Sequence, residues 1–170
     1  MDILSHGLWG GVTLGRKNKK SFWTAFSFGM LPDVFAFGLP ISHLLFSLLM
    51  GGEADFMRGP QDGYADIPAY VFQLYSISHS LVIFSAVFLL VWAIRKKPLW
   101  EMGAWGLHVA MDIFTHSDAF FPTPFLWPLS DFYVNGISWG HPLIFFPNIA
   151  LLATIYGYWW YKRRKTTPNT

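Results

Sequence analysis

Long apolar stretches separated by short charged punctuation dominate this chain. Val71–Ile94 offers 24 positions without a charged residue, more than the roughly 20 that a membrane-spanning helix needs. Leu143–Tyr161 offers 19 more and ends in Tyr158-Trp159-Trp160-Tyr161 before a basic tail, as an interfacial aromatic belt does. Two weaker runs also read as spans: Ser21–Leu39, with Asp33 inside it, and Leu99–His116, with Glu101, His108 and Asp112 inside it. The opening run Ile3–Leu14 is apolar but short. As a helix, Met1–Gly15 reaches only about 22 Å, so a short or partly inserted helix is expected there. Gly7, Gly11 and Gly15 recur every four residues, a spacing that lets membrane helices approach closely; alternatively they only loosen a terminal segment. Ile41–Met50 is too short to span and is expected to lie as a helix at the outer interface. The pattern predicts an all-α, polytopic helical membrane protein with about four to five membrane-embedded helices plus one short interfacial helix. A single domain is expected over 1–165, with a frayed cytoplasmic tail at 166–170.

Charge placement orients these segments. Of the 12 Lys and Arg residues, 11 fall in three clusters: Arg16, Lys17, Lys19 and Lys20; Arg95, Lys96 and Lys97; and Lys162, Arg163, Arg164 and Lys165. Each cluster borders an apolar run, and the positive-inside rule places all three in the cytoplasm of a cell-membrane protein. The segments then alternate consistently. The loop at 52–68 carries Glu53, Asp55, Asp62 and Asp66 against Arg58 alone, and 117–142 holds no Lys or Arg, as outside loops should. Met1–Gly15 has its positive charge after the apolar core rather than before it, so it is expected to be retained structure and not a signal peptide.

Composition narrows the class further. Hydrophobic residues make up 53% of the chain and charged residues 13%, about half the usual share for a soluble domain. Such a chain cannot clothe a soluble surface, and 19% aromatics exclude disorder. Nucleic acid is not an expected partner. Cys is absent, which removes disulfides, thiolate nucleophiles and iron–sulfur clusters and restricts any metal site to nitrogen and oxygen ligands.

An ionisable residue inside a spanning helix is costly and marks a site by default. His108, Asp112 and His116 follow at steps of four, which puts two imidazoles and a carboxylate on one helical stripe. Imidazole and carboxylate together suit zinc, manganese or iron; the alternative is a set of interhelical hydrogen bonds. Asp33 follows Pro32, which is expected to break the helix and free carbonyls near the carboxylate, although a lone Asp could simply cap the second half. His79 in Ser78-His79-Ser80 and His6 in Ser5-His6-Gly7 are unremarkable alone. Depth joins them: with the orientation above, His6, Asp33, His79 and the upper part of the stripe share one layer in the outer half of the bilayer. His141 and Asp131 lie in the outer loop above this layer, where either is a further ligand, a proton donor or ordinary loop chemistry. Trp127-Pro128 fits a rigid interfacial turn. His43 reads as a surface residue, and Glu101 lies near the cytoplasmic end of its helix.

Five short motifs, in order, resemble the small integral-membrane proteins described as predicted metal-dependent hydrolases, the YdjM-like group. They are Met1-Asp2 with His6-Gly7, Leu31-Pro32-Asp33, His79-Ser80, His108-x-x-x-Asp112 with Thr115-His116, and Trp127-Pro128-Leu129-Ser130. The family often carries a second Asp and a His soon after Leu-Pro-Asp, a region where this chain has Phe35 and Ala36. The His108/Asp112 pair is more weakly similar to one in zinc-dependent phospholipases C. The resemblance implies hydrolase activity and suggests a lipid phosphoester substrate.

The expected function is therefore a membrane-embedded, metal-dependent hydrolase acting on an ester or phosphoester of a lipid or lipid-linked substrate at the outer leaflet. Metal ligands would be drawn from His6, Asp33, His79, His108, Asp112 and His116, with Asp33, His79 and Asp112 the expected catalytic residues. Zinc is the expected ion, with manganese or iron as alternatives. Six ligands exceed the four of one tetrahedral zinc, so full occupancy implies two ions. The competing readings are a non-catalytic membrane protein with a structural metal site and a transporter of metal ions or protons. A transporter needs polar residues through the full depth, and the cytoplasmic halves of these spans are nearly bare of them. No Gly-x-Ser-x-Gly elbow accompanies Ser80 to suggest a serine hydrolase.

Overall fold

The computed structural model of the protein describes residues 1–51 and 67–166. The expected acidic loop residues Glu53, Asp55, Arg58, Asp62 and Asp66, and the tail from 167 to 170, lie outside the described residues. The described chain is helical, with no strand beyond an isolated bridge between Ser117 and Phe120. The helices are α1 (Ile3–Leu14), α2 (Lys19–Leu49), α3 (Ala69–Ser78), α4 (Leu81–Arg95), α5 (Gly103–Thr115) and α6 (Pro142–Thr166), with a 3₁₀ turn at Trp100–Met102. By length and apolarity α2 and α6 can each cross a membrane, and α3 with α4 make a third candidate if the bent pair counts as one span. Helices α1 and α5, at 12 and 13 residues, fall short of the roughly 20 that a crossing takes.

Two elements differ from the hydropathy pattern. The expected Ser21–Leu39 span and the separate interfacial helix at Ile41–Met50 are one 31-residue helix, and neither Pro32 nor Pro40 breaks it. A proline removes one N–H from the ladder, and helices packed on neighbours tolerate that loss. At about 46 Å, α2 is longer than the roughly 30 Å hydrocarbon core. Conversely, the uninterrupted apolar run Val71–Ile94 is not one helix. It bends by 57° between α3 and α4, at His79-Ser80. The Ser80 hydroxyl accepts hydrogen bonds from the Val82 and Ile83 N–H groups, each at 3.1 Å, and so starts a new helix. The groups freed at the break find partners: Trp105 Nε1 donates to the Ser78 carbonyl at 2.6 Å, and Leu81 N donates to Phe125 O at 2.9 Å. A break of this kind inside an apolar region persists only when such partners exist.

Glycines set the closest approach in the bundle. A Cβ on Gly29 of α2 would stand 2.4 Å from the His6 carbonyl, and one on Gly10 of α1 would stand 2.7 Å from the Ala25 carbonyl. Side chains larger than hydrogen would force α1 away from α2. The expected stripe of Gly7, Gly11 and Gly15 faces α2 in the same way, against Phe22, Phe26 and Met30. Helix α6 joins through polar contacts. Asn148 donates to Ser5 Oγ at 2.8 Å and accepts from Trp9 Nε1 at 2.8 Å, while Tyr156 donates to Leu8 O at 2.8 Å. The loop after α5 folds back over that helix end, and Ile137, Trp139 and Gly136 N–H groups cap the carbonyls of Phe114, Thr115 and His116.

Much of the outer surface is apolar. Exposed side chains include Leu39, Leu49, Ile94, Phe114, Leu143 and Phe146, each at least 65% accessible. A patch of this extent needs an apolar surrounding. At one end, Glu101 accepts from Ser21 Oγ at 2.6 Å and pairs with Lys17 at 3.5 Å, beside the turn carrying Arg95, Lys96 and Lys97.

Candidate metal centre

Three helical segments bring polar side chains to one buried point. Asp33 comes from α2, His79 from the break after α3, and His108 and Asp112 from successive turns of α5. One ligand atom from each of these four lies within 4.8 Å of all the others. His79 and His108 Nε2 stand 3.0 Å apart. The Nε2 of His79 is 3.4 Å from Asp33 Oδ1 and 3.6 Å from Asp112 Oδ2; the corresponding distances for His108 are 3.7 and 3.2 Å. Donors held about 2.0–2.1 Å from one ion at tetrahedral angles lie about 3.3 Å apart. The observed spacings of 3.0–3.7 Å straddle that value. All four residues are at most 4% exposed.

Backbone carbonyls orient these imidazoles. His108 Nδ1 lies 2.7 Å from Gly29 O, and His79 Nδ1 lies 3.2 Å from Tyr75 O and 2.9 Å from Ser78 Oγ. A carbonyl only accepts, so the proton of each neutral ring belongs on Nδ1 and the Nε2 lone pair points into the cluster. The same outer contacts fix ring orientation in metal-bound histidines. The result is two Nε2 lone pairs facing each other beside two carboxylates, of which Asp112 receives the Met1 amino group and Thr115 Oγ1 on Oδ1 and not on Oδ2. Asp33 Oδ2 and Asp112 Oδ2 are buried without a hydrogen-bond partner among the described residues. Buried polar atoms are rarely left so, and a divalent cation between the two rings would satisfy both lone pairs and Asp112 Oδ2 and leave Asp33 Oδ2 as an acceptor. Two imidazoles and two carboxylates suit zinc, manganese or iron without distinguishing among them.

All six ionisable residues expected at the site are brought together. His6 Nε2 lies 3.0 Å from Asp112 Oδ1, and its ring stacks on His108 with centroids 3.6 Å apart. His116 Nε2 lies 3.6 Å from the same oxygen, with its Nδ1 2.9 Å from Phe121 O. The Met1 amino group also contacts Asp112 Oδ1. The weaker candidates stay outside. His141 is exposed and its Nδ1 accepts from Leu143 N at 3.3 Å, at the start of α6. Asp131 and His43 are exposed as well, and Glu101 is occupied at the basic end by Ser21 and Lys17. Trp127–Pro128 is a cis peptide in the loop between α5 and α6, and its Trp127 carbonyl accepts from Ser80 Oγ.

Tyr75 and Asn148 are absent from the sequence motifs, and Thr115 enters them only beside His116. Tyr75 stacks on His79 with ring centroids 3.7 Å apart and donates to Phe121 O at 3.0 Å. Thr115 lies 3.3 Å from Asp112 Oδ1. Asn148, alone in an apolar run, carried a readable signal, because an amide in such a run is a typical interhelical fastener. No protein-family model, curated protein or solved structure matches the chain.

Proposed function

We propose that the protein is a membrane-embedded, metal-dependent hydrolase that cleaves an ester or phosphoester of a lipid or lipid-linked substrate at the outer leaflet. The observation that carries this reading is the pair of outward-anchored imidazoles whose Nε2 lone pairs meet Asp33 and Asp112 in a buried, proton-poor cluster. Asp33, His79, His108 and Asp112 would hold the ion. A divalent cation there lowers the pKa of water and polarises an ester or phosphoester oxygen. The chain's own groups do the rest. As water adds to the acyl carbon or phosphorus and the ester bond to the leaving oxygen breaks, Asp33 Oδ2, a buried acceptor without a partner, takes up the proton released by the water and returns it to the leaving oxygen, which departs as the alcohol. The carbonyls of Gly29 and Tyr75 keep the two rings from turning away. The YdjM-like resemblance belongs to the same reading.

A lipid is favoured by what adjoins the cluster. A mostly apolar cavity of about 210 Å³ lies between Leu31, Pro32, Phe35, Ile77, Ser78 and Trp105, which include the sequence neighbours of Asp33 and His79. Pro32 directly precedes Asp33, and Ile77 lies two residues before His79, so an alkyl chain there would bring its ester towards the ligands. Leu31 and Phe35 are also exposed on the outer apolar surface, which gives the cavity a lateral mouth. Turnover of a panel of glycerolipids and lipid-linked phosphates by the parent protein in lipid, before chelation, after it and after metal is restored, tests this reading. Metal-dependent release from at least one class is expected; metal-replete protein inert on every class would overturn it.

The topology belongs to the same proposal: four to five embedded segments, with the basic clusters and the C-terminus in the cytoplasm. The helical turns of α5 that separate Glu101 and Lys17 from His108 and Asp112 support this orientation. Cysteines introduced as Asp62→Cys and Lys165→Cys are expected to react with an impermeant label from opposite sides of the membrane. Labelling of both from one side would remove the outer-leaflet assignment.

A further inference from the structure

The four-ligand cluster uses only one oxygen of Asp112. Its Oδ2 faces His79 and His108 at 3.6 and 3.2 Å, whereas Oδ1 faces His6 at 3.0 Å and His116 at 3.6 Å. The carboxylate thus divides the imidazoles into two pairs, one on each side. The second pair is as deeply buried as the first: His6 is fully inaccessible and His116 is 6% exposed. His116 is anchored like the inner histidines, with Nδ1 beside the Phe121 carbonyl, so its Nε2 lone pair faces Asp112 Oδ1 at 3.6 Å and the Met1 amino nitrogen, itself in contact with Oδ1, at 3.4 Å. His6 is the less explicable of the two. Both its ring nitrogens are buried without a hydrogen-bond partner, although the ring is aimed at Oδ1 and stacked on His108. A neutral imidazole buried in helix packing normally satisfies at least one nitrogen. Here neither is satisfied, although α1 packs so closely on α2 that a Cβ on Gly29 would stand 2.4 Å from the His6 carbonyl.

We infer that His6, His116 and Asp112 Oδ1 hold a second divalent cation, with Asp112 bridging the two ions. This deepens the proposed function and rests on it: the site becomes a two-metal centre. A carboxylate bridge suits the roughly 3.5–4 Å separation at which paired ions clamp the attacking and leaving oxygens of an in-line displacement. That chemistry belongs to phosphoesters more than to carboxylic esters, so the substrate class narrows to a lipid phosphoester. Thr115 Oγ1, 3.3 Å from Oδ1, supports the bridging oxygen.

The full chain, purified in detergent, stripped with a chelator and reloaded with Mn(II) alone, provides the test. Metal per chain is read by elemental analysis and the coupling between ions by electron paramagnetic resonance. About two ions per parent chain are expected, with the spectrum of an exchange-coupled pair. His6→Gln and His116→Gln should each fall to about one ion per chain, with an uncoupled Mn(II) signal. Should a variant fail to fold, the coupled spectrum of the parent decides alone. One uncoupled ion in the parent, lost on His108→Gln but kept in His6→Gln, would overturn the second site and leave the proposed hydrolase standing, with the Met1 nitrogen as the positive partner of Oδ1. Two ions that both persist in His6→Gln and His116→Gln would overturn it as well. A parent that binds no ion removes both readings together.

Discussion

Asp112→Asn is expected to empty the site while the protein still inserts. Every imidazole of the cluster contacts this carboxylate, His6 and His116 through Oδ1 and His79 and His108 through Oδ2. Asn keeps the volume but brings a neutral oxygen and an amide N–H, and that N–H can donate to an imidazole lone pair and replace the ion as partner. Even second-layer residues are worth about 10–100-fold in metal affinity, so loss of a charged ligand shared by four histidines should exceed 100-fold. Metal content after identical loading is the readout, with size-exclusion profile and helical circular dichroism as the control for folding. A variant that folds and keeps a full complement of metal would mean that Asp112 serves packing and not coordination.

The second large effect concerns turnover. Asp33→Ala and His79→Ala each remove one ligand from a different helical segment, and neither should dissolve the bundle. The helices keep their backbone hydrogen bonds without the ion, and the contacts that seat α1 on α2 are made by Gly10, Gly29 and their neighbours. The ion contributes several kcal/mol of charge stabilisation to the transition state, and each 1.36 kcal/mol is tenfold in rate. A fall of at least about 10²–10³-fold in lipid phosphoester release is therefore expected for both variants, with normal insertion. Equal loss of metal and of fold would instead point to a structural ion, because a catalytic one can be removed without unfolding its scaffold.

The site was more legible than the scaffold. His108 and Asp112 sit one turn apart on α5, and His116, four residues further, follows at its C-cap and still reaches Asp112. Asp33 stood out as a charge in an apolar run. What hydropathy could not show was how the runs bend. Val71–Ile94 looks continuous because Ser78, His79 and Ser80 barely lower its apolarity, yet the Ser80 hydroxyl caps a new helix and the Trp105 indole satisfies the carbonyl exposed by the break. Pro32 gave the opposite error. It was expected to break its helix, and α2 runs through it and through Pro40 to Leu49. Both outcomes depend on partners distant in sequence. His6 was the most ambiguous residue by sequence, since a lone His in a short terminal helix has many uses. Its place beside Asp112 depends on Gly29 admitting the α1 backbone, a long-range contact between two small residues.

The account depends on an ion between Asp33, His79, His108 and Asp112. Elemental analysis of the full chain purified in detergent, before and after chelation and reloading, tests that dependence most directly. The expected result is at least about one equivalent of zinc, manganese or iron per chain, removable by chelator and restored on reloading. Well-folded protein that takes up no transition metal under any loading condition would contradict it, and the cluster would then be a purely structural network of histidines and carboxylates.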